Sequence, residues 1–478
     1  MREINVRVLS EEEIAAIHDG TIRILRNTGV KVHHDEALKL LARAGADVDT
    51  DSMIARLGEK LVTESIELAG KKYVLYGRDP QRSARFGYGD FVLMSSPGQY
   101  SWIDTDSGER RPATVQDALE AIRLGDAFDN ITIVCSMAQP EEISEAWRDV
   151  FLTGELVKAT GKPTRCWVKN GKTARYVLDI YRAVAGGAEV LRKRPMVEAF
   201  LEPISPLQLP KDGLDIVREF ARAGQPVSIS PMAMTCGTAP GTLAGTLAQE
   251  NAEIIAGIVV TQLFAPGTPV MYGGIPHIMD PRTSICSFGS PEQGLMAAAM
   301  VQMAGHYGFP AYVNSGLTDA KLPDAQAGAE KASSLLLAAL AGADTFGHCG
   351  ICGTDHAASL LWLSLDNEVA EYVKRIARGF EVDAEKVAAD VVHKVGPGGN
   401  FLAEEHTVRN FRQELWLPGP AWTRQSWDGW VESGNLSMAE RITEQVKQIL
   451  RTHEPRPLEI ELAKEVDAVV ETAKRELG

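Results

Sequence analysis

Eight apolar, β-branched runs recur along the chain, at residues 91–95, 131–135, 164–168, 196–201, 226–230, 268–272, 310–314 and 343–347, with helical periodicity between them. Neighbouring parallel strands need a crossover connection, usually a helix, so this alternation predicts a parallel sheet. Eight such units predict an α/β fold of the (β/α)8 TIM-barrel type. The first unit is the clearest. After the run at 91–95, Thr114 stands as an N-cap with Asp117 three residues on, and Val115, Leu119, Ile122 and Leu124 share a face before the next run. Further helices are predicted near 141–159, 171–186, 210–223, 249–264, 290–307, 327–341 and 366–378. A ninth strand-like run, Thr283 to Phe288, follows 268–272 too closely for a helical crossover, so it reads as an extra loop strand.

The ends of the chain lack this repeat. Residues 1–88 read as an N-terminal α+β cap: Ser10 to Glu13 has capping-box spacing, helices follow near 34–43 and 58–69, and Tyr73–Tyr76 is strand-like. No chemistry is expected from it. Residues 89–380 are the expected catalytic barrel, and 381–478 a C-terminal helical extension that packs on the barrel wall or on another subunit, which makes a homo-oligomer the expected state. A chain of 478 residues accommodates a barrel with such additions.

Charge and hydropathy exclude several roles. A formal charge of −15 without a large Lys/Arg cluster repels phosphate backbones, so nucleic acid is not expected as a partner. No apolar run approaches the ~20 residues of a membrane helix. The charged start, Met1-Arg-Glu-Ile-Asn, lacks an apolar signal core, and the expected location is the cytoplasm. The six cysteines read as reduced core residues rather than a disulfide framework.

Barrel active sites lie at the C-terminal ends of the strands. Reading off those ends gives, among others, Tyr100, Gln139, Trp167, Phe200, Glu202, Tyr272, His277, Asn314, Asp319, Phe346 and His348. Only 6% of residues are aromatic, yet several strand ends carry one, which suits a ligand with an apolar or cationic surface and equally suits packing of the barrel top.

Three motifs in order carry a family resemblance: Gly108-Glu-Arg-Arg-Pro-Ala-Thr114, Asp324-Ala-Gln326, and His406-Thr407 with Phe411-Arg412 and Glu414-Leu-Trp416. From about residue 10 onward the chain resembles the trimethylamine methyltransferase family. The resemblance implies methyl transfer from a methylated amine to reduced cobalt(I) in a corrinoid (methylcobalamin) carried by a separate cognate corrinoid protein, with no cofactor bound tightly to this chain. Some members of that family carry pyrrolysine, thought to activate a tertiary amine. This chain has only standard residues. A quaternary ammonium needs no such activation, so the resemblance and the missing pyrrolysine together point to a quaternary amine, glycine betaine first.

Positive charge disappears from nitrogen as the methyl leaves, so a tight carboxylate partner would stabilise the substrate more than the transition state. Aromatic faces, worth ~0.5–2 kcal/mol per cation–π contact, are the better compromise. That role falls to Tyr100, Tyr272 and Phe346, with Trp167 and Phe200 in reserve. His348, Gln139 and Asn314 are expected to hydrogen-bond the betaine carboxylate. Glu202 would favour binding over turnover if it faced nitrogen, and Asp319 is placed at the mouth.

His348-Cys-Gly-Ile-Cys-Gly-Thr-Asp-His356 has C-x-x-C spacing flanked by histidines, but turn packing is preferred to a metal site and no metal is expected. Asp390 to Gly396 approximates a cobalamin-binding pattern with one residue too many between Asp390 and His393. The rival readings are a metal-dependent barrel hydrolase or lyase using the His348–His356 cluster, and a non-catalytic quaternary-amine binding protein.

Overall fold

The computed structural model describes residues 5–478. Its centre is a parallel sheet of seven strands in the order Ala199–Leu201, Val227–Ile229, Val270–Gly273, Ala311–Val313, Thr345–Cys349, Val92–Ser95 and Ile131–Ile133. The last run of the repeat lies against the first, with Thr345 opposite Val92 and Phe346 opposite Leu93. That pairing wraps the sheet back on itself.

The expected closed barrel is not complete. The third run, 164–168, is held to the second only by an isolated bridge between Val134 and Thr164, and among the described residues no ladder joins it to Ala199–Leu201. A hairpin bonds to the residues flanking this seam. Tyr76 N–H donates to the Pro195 carbonyl (2.8 Å) and Asp79 N–H to that of Gly161 (2.9 Å), both from the antiparallel hairpin Tyr73–Tyr76/Ser83–Phe86. Pro163, at the start of the third run, has no N–H to give. The same hairpin packs Tyr73, Leu75 and Phe86 against Val92, Met94, Ile133, Met271 and Tyr312. It therefore floors the sheet's interior as well as edging the seam.

Around the sheet run helices Val115–Ala127, Arg148–Ala159, Gly171–Ala185, Lys211–Arg222, Leu243–Phe264, Pro291–Tyr307, Ala325–Ala341 and Leu360–Ala377. Thr114 caps the first with a reciprocal Asp117 capping box. Leu243–Phe264 is apolar nearly all round because Glu11–Arg23, Asp35–Arg43 and Glu59–Leu68 of the N-terminal section cover its outer face. Val30–Val32 pairs with Gln208–Leu209 from a loop of the repeat, which knits that section in. The ninth run appears as Cys286–Ser287, antiparallel to His277–Met279 in a separate small sheet with Met234–Thr235.

At the C-terminal end, Met438–Thr452 buries Ile442 and Val446 against Val115–Ala127 and Leu360–Ala377. Ile460–Leu477 buries Val466, Val470 and Ala473 against Arg148–Ala159 and Gly171–Ala185. Among the described residues no helix is long and apolar enough to cross a membrane.

Candidate active site at the strand ends

Strand pleating decides which side chains reach the interior, because successive residues face opposite sides and paired residues of parallel strands face the same side. Phe200, Ser228 and Met271 are register partners, and Met271 lies in the interior cluster with Tyr312. Tyr272, one residue on, faces the other way: its hydroxyl donates to Asn251 Oδ1 (2.8 Å) in the helix layer. Phe346, opposite Val313, also points outward and packs on Phe91 with ring centroids 4.5 Å apart. These two expected cage residues are wall packing.

The interior aromatic set is different. Trp167 meets Phe200 edge to face at 5.3 Å, and Phe200 meets Tyr312 edge to face at 6.2 Å. The Arg165 guanidinium lies over both rings, 4.6 Å from the centroid of Phe200 and 6.0 Å from that of Tyr312. These four residues and His348 line a narrow cavity of about 10 Å³. Above it opens a cavity of about 440 Å³ lined by Gln99, Tyr100, Gln139, Arg148, Lys169 and Asp355 among others, and Trp167 is the one residue lining both. Tyr100 is 59% exposed, with Arg148 over its ring at 5.7 Å, so it stands at the rim.

A hydrogen-bond chain fixes the protons beneath. His277 Nδ1 faces the Ser287 carbonyl (3.2 Å), which only accepts, so Nδ1 carries the hydrogen and Nε2 is a lone pair. Asn314 turns its Nδ2 toward that lone pair at 3.5 Å and presents Oδ1 to the Tyr312 hydroxyl, which donates at 2.8 Å. Tyr312 then accepts from His348 Nε2–H at 2.9 Å. His348 Nδ1 is left as a buried lone pair without a partner. Both imidazoles stay neutral: burial lowers the pKa of His277 to about 4, and burial, then Arg165 and His277, lower that of His348 to about 3. A carboxylate needs a donor, so the expected role of His348 as carboxylate anchor does not fit this proton pattern. Asn314 is spent inside the chain, and the Gln139 side chain lies against Gly98, where a Cβ would come within 2.5 Å of Nε2.

Two carboxyls mark the mouth. Desolvation, then the charge of Asp355, raise the pKa of Glu202 to about 7. Desolvation raises that of Asp355 to about 6, against a 2.5 Å hydrogen bond from Gln99 Nε2. Neither forms a salt bridge with a cation among the described residues. Asp319 is instead fully engaged: it accepts from Ser287 Oγ (2.5 Å), Phe288 N–H (2.7 Å) and Thr354 Oγ1 (2.8 Å), which fastens three loops together.

Residues of the three family motifs make defined contacts in the fold. Arg111 pairs with Asp117 through two hydrogen bonds, at 2.6 and 2.9 Å, beside the Thr114 cap. Asp324 caps Ala325–Ala341, and Trp416 packs edge to face on Tyr372 and Trp422. The trimethylamine methyltransferase (MTTB) family profile matches residues 2–478. The chain belongs to the trimethylamine methyltransferase family.

Trimethylamine methyltransferase MttB of Desulfitobacterium hafniense is 33% identical over 98% of this chain and 94% of its own length. That of Methanosarcina thermophila is 32% identical over 97% of each. A glycine betaine methyltransferase of Desulfitobacterium hafniense is 31% identical over 88% of each chain. Monomethylamine methyltransferase of Methanosarcina barkeri, a solved structure, aligns with a TM-score of 0.49 at 12% identity over 97% of this chain and 91% of that one.

Within this family member, the His348–His356 stretch diverges. His348 turns to Tyr312 and Asp355 to Gln99, while Cys349 and Cys352 are buried in the main core. Among the described residues no three His, Cys, Asp or Glu side chains come together as a metal site. Arg165, Tyr312 and Asp355 were not among the residues expected from strand ends, whereas Gln99 was. A basic residue inside a strand-like run, two before Trp167 and so on its face, was the available signal for Arg165.

Proposed function

We propose that this chain is a methyltransferase that takes a methyl group from a quaternary amine, glycine betaine first, and delivers it to the corrinoid of a separate carrier protein. The observation carrying this reading is that two carboxyls at the mouth, Glu202 and Asp355, form no salt bridge among the described residues, while the Trp167 ring lines both cavities beside them. A small cation gives these carboxyls a partner, while an aromatic face at the mouth binds it without opposing its neutralisation as the methyl departs. The raised pKa of Glu202 softens the conflict between binding and turnover, because part of its charge is withheld near neutrality. Membership of the family supports a methylated amine as donor, and the glycine betaine methyltransferase relative supports the quaternary class.

A cavity of about 440 Å³ takes an amine of this size, whereas a corrin ring is far larger, which favours a corrinoid that stays on its carrier and approaches the mouth. The corrinoid supplies the reduced metal that accepts the methyl. This chain's residues bind and orient the amine and hold its methyl toward the opening. Side chains such as Phe401, Leu402 and Trp427 stand exposed on residues 381–478, which supports assembly with further copies of the chain. Barrel architecture, with the seam at 164–168 as its weakest join, fits the wrapped sheet.

The test is anaerobic. Cobalamin reduced to cobalt(I) is mixed with the protein and a panel of quaternary amines, and the visible spectrum is followed. Formation of methylcobalamin with glycine betaine is the expected result; no methylation from any quaternary amine, with free cobalamin or a cognate carrier, overturns the reading.

A further inference from the structure

The floor of the site contains a cation whose hydrogen-bonding capacity is almost unused. Arg165 is 7% exposed, and of its five N–H donors only Nη1 has a partner, the Met94 thioether at 3.5 Å. Nη2 is 3.1 Å from Glu198 Oε1, close enough for charge attraction, yet it makes no hydrogen bond there and is left buried without a partner. Glu198 is itself shared, since its other oxygen accepts from the Tyr73 hydroxyl. The rings of Phe200 and Tyr312 flank the guanidinium at cation–π distance, and Nη2 is the donor that is fully buried without a hydrogen bond.

We infer that Arg165 is the carboxylate anchor of the site and selects a quaternary amine that also carries an acid group. This rests on the quaternary-amine reading and adds the group that separates a betaine from choline or tetramethylammonium. A carboxylate is the partner that matches a guanidinium edge in charge and in planar geometry. The other candidates on this floor are poorly suited: His348 offers a lone pair and Asn314 is engaged. With the acid group at Arg165, the ammonium is directed away from that cation, toward Glu202, Asp355 and the opening, where a methyl can be handed on. The cavity beside Arg165, about 10 Å³, holds no more than a water, so the carboxylate gains entry by displacing the Trp167 indole, the wall shared with the larger cavity.

The experiment measures binding and turnover separately. Calorimetric titration of the purified chain with glycine betaine and with choline is run on the parent, on Glu198→Gln, on Arg165→Met/Glu198→Gln and on Arg148→Gln, with thermal melts to confirm folding. The double variant removes both members of the buried pair, so no uncompensated charge remains to unfold it. The parent is expected to prefer glycine betaine, Glu198→Gln to keep that preference, and the double variant to lose about 30-fold or more in affinity for glycine betaine while choline binding shifts little. Equal losses for both ligands, an unchanged double variant, loss of the preference in Arg148→Gln alone, or a parent that does not bind glycine betaine would each overturn the assignment. Arg165-dependent binding without methyl transfer sinks the proposed reaction and leaves the anchor standing; transfer from choline but not glycine betaine does the reverse.

Discussion

The Tyr312 hydroxyl lies 2.9 Å from His348 Nε2, and this contact ties the seventh run of the repeat to the tip of the eighth. Because Tyr312 donates onward to Asn314 Oδ1, it must accept from His348, and the lone pair on His348 Nδ1 follows. Tyr312→Phe keeps the ring against Phe200 but leaves His348 Nε2–H and Asn314 Oδ1 unpaired, at a cost of about 1–3 kcal/mol for each buried group. Melting temperature should fall, and kcat for methyl transfer should fall more than KM rises. Parent-like kcat would remove the hydrogen-bond chain from the mechanism.

The mouth should respond to pH. Glu202, raised to about 7, is mostly protonated below that pH and anionic above it, with Asp355 passing through its own midpoint near 6. Affinity for a quaternary ammonium, whose own charge does not titrate, should therefore rise between pH 6 and pH 8 and level off. Glu202→Gln should flatten most of that rise in a binding titration.

The same shift works against stability. A carboxyl with a folded pKa above its usual value holds its proton more tightly in the folded chain, so stability is lost as pH climbs from the usual carboxylate range through about 7. Thermal melts should show Glu202→Gln more resistant than the parent at pH 8 and indistinguishable from it near pH 4. An unchanged difference across that range would show that Glu202 is not desolvated in solution.

The eight runs and their crossover helices were legible because buried parallel strands need near-continuous apolar runs and amphipathic helices leave a stripe. The seam was not legible. Nothing in Thr164–Val168 says that its outer edge joins no ladder, since the hairpin that bonds to the flanks of that edge, at Gly161 and Pro195, comes from residues 73–86. In the site, strand ends gave the right elements but the wrong phase in two cases. Strand register sets which residues face in, and a shift of one exchanges Met271 with Tyr272. Arg165 was missed for a related reason: its role depends on being inward and on Phe200, Tyr312 and Glu198 arriving from other strands.

That phase can be tested directly. Tyr272→Phe removes the hydrogen bond to Asn251 and the weaker contact with the Met300 thioether, both in the helix layer, so it should cost stability by about 1 kcal/mol and leave the ratio of glycine betaine to choline affinity untouched. A change in that ratio would place Tyr272 inside.

Asp319 offers the last discrimination, between a residue that touches substrate and one that holds the walls. Its carboxylate takes donors from the adjacent Ser287 and Phe288 and from Thr354, so two other loops are anchored to its own, and Thr354 stands immediately before Asp355. Asp319→Asn preserves size but weakens the charge-assisted bonds and turns an amide donor toward groups that donate. If Asp319 acts through the loops, the variant should melt earlier, bind the amine more weakly through a displaced Asp355, and show a flattened lower limb of the pH dependence near 6, while the limb near 7 set by Glu202 persists. If it met the substrate itself, both limbs should survive, with affinity reduced at every pH alike.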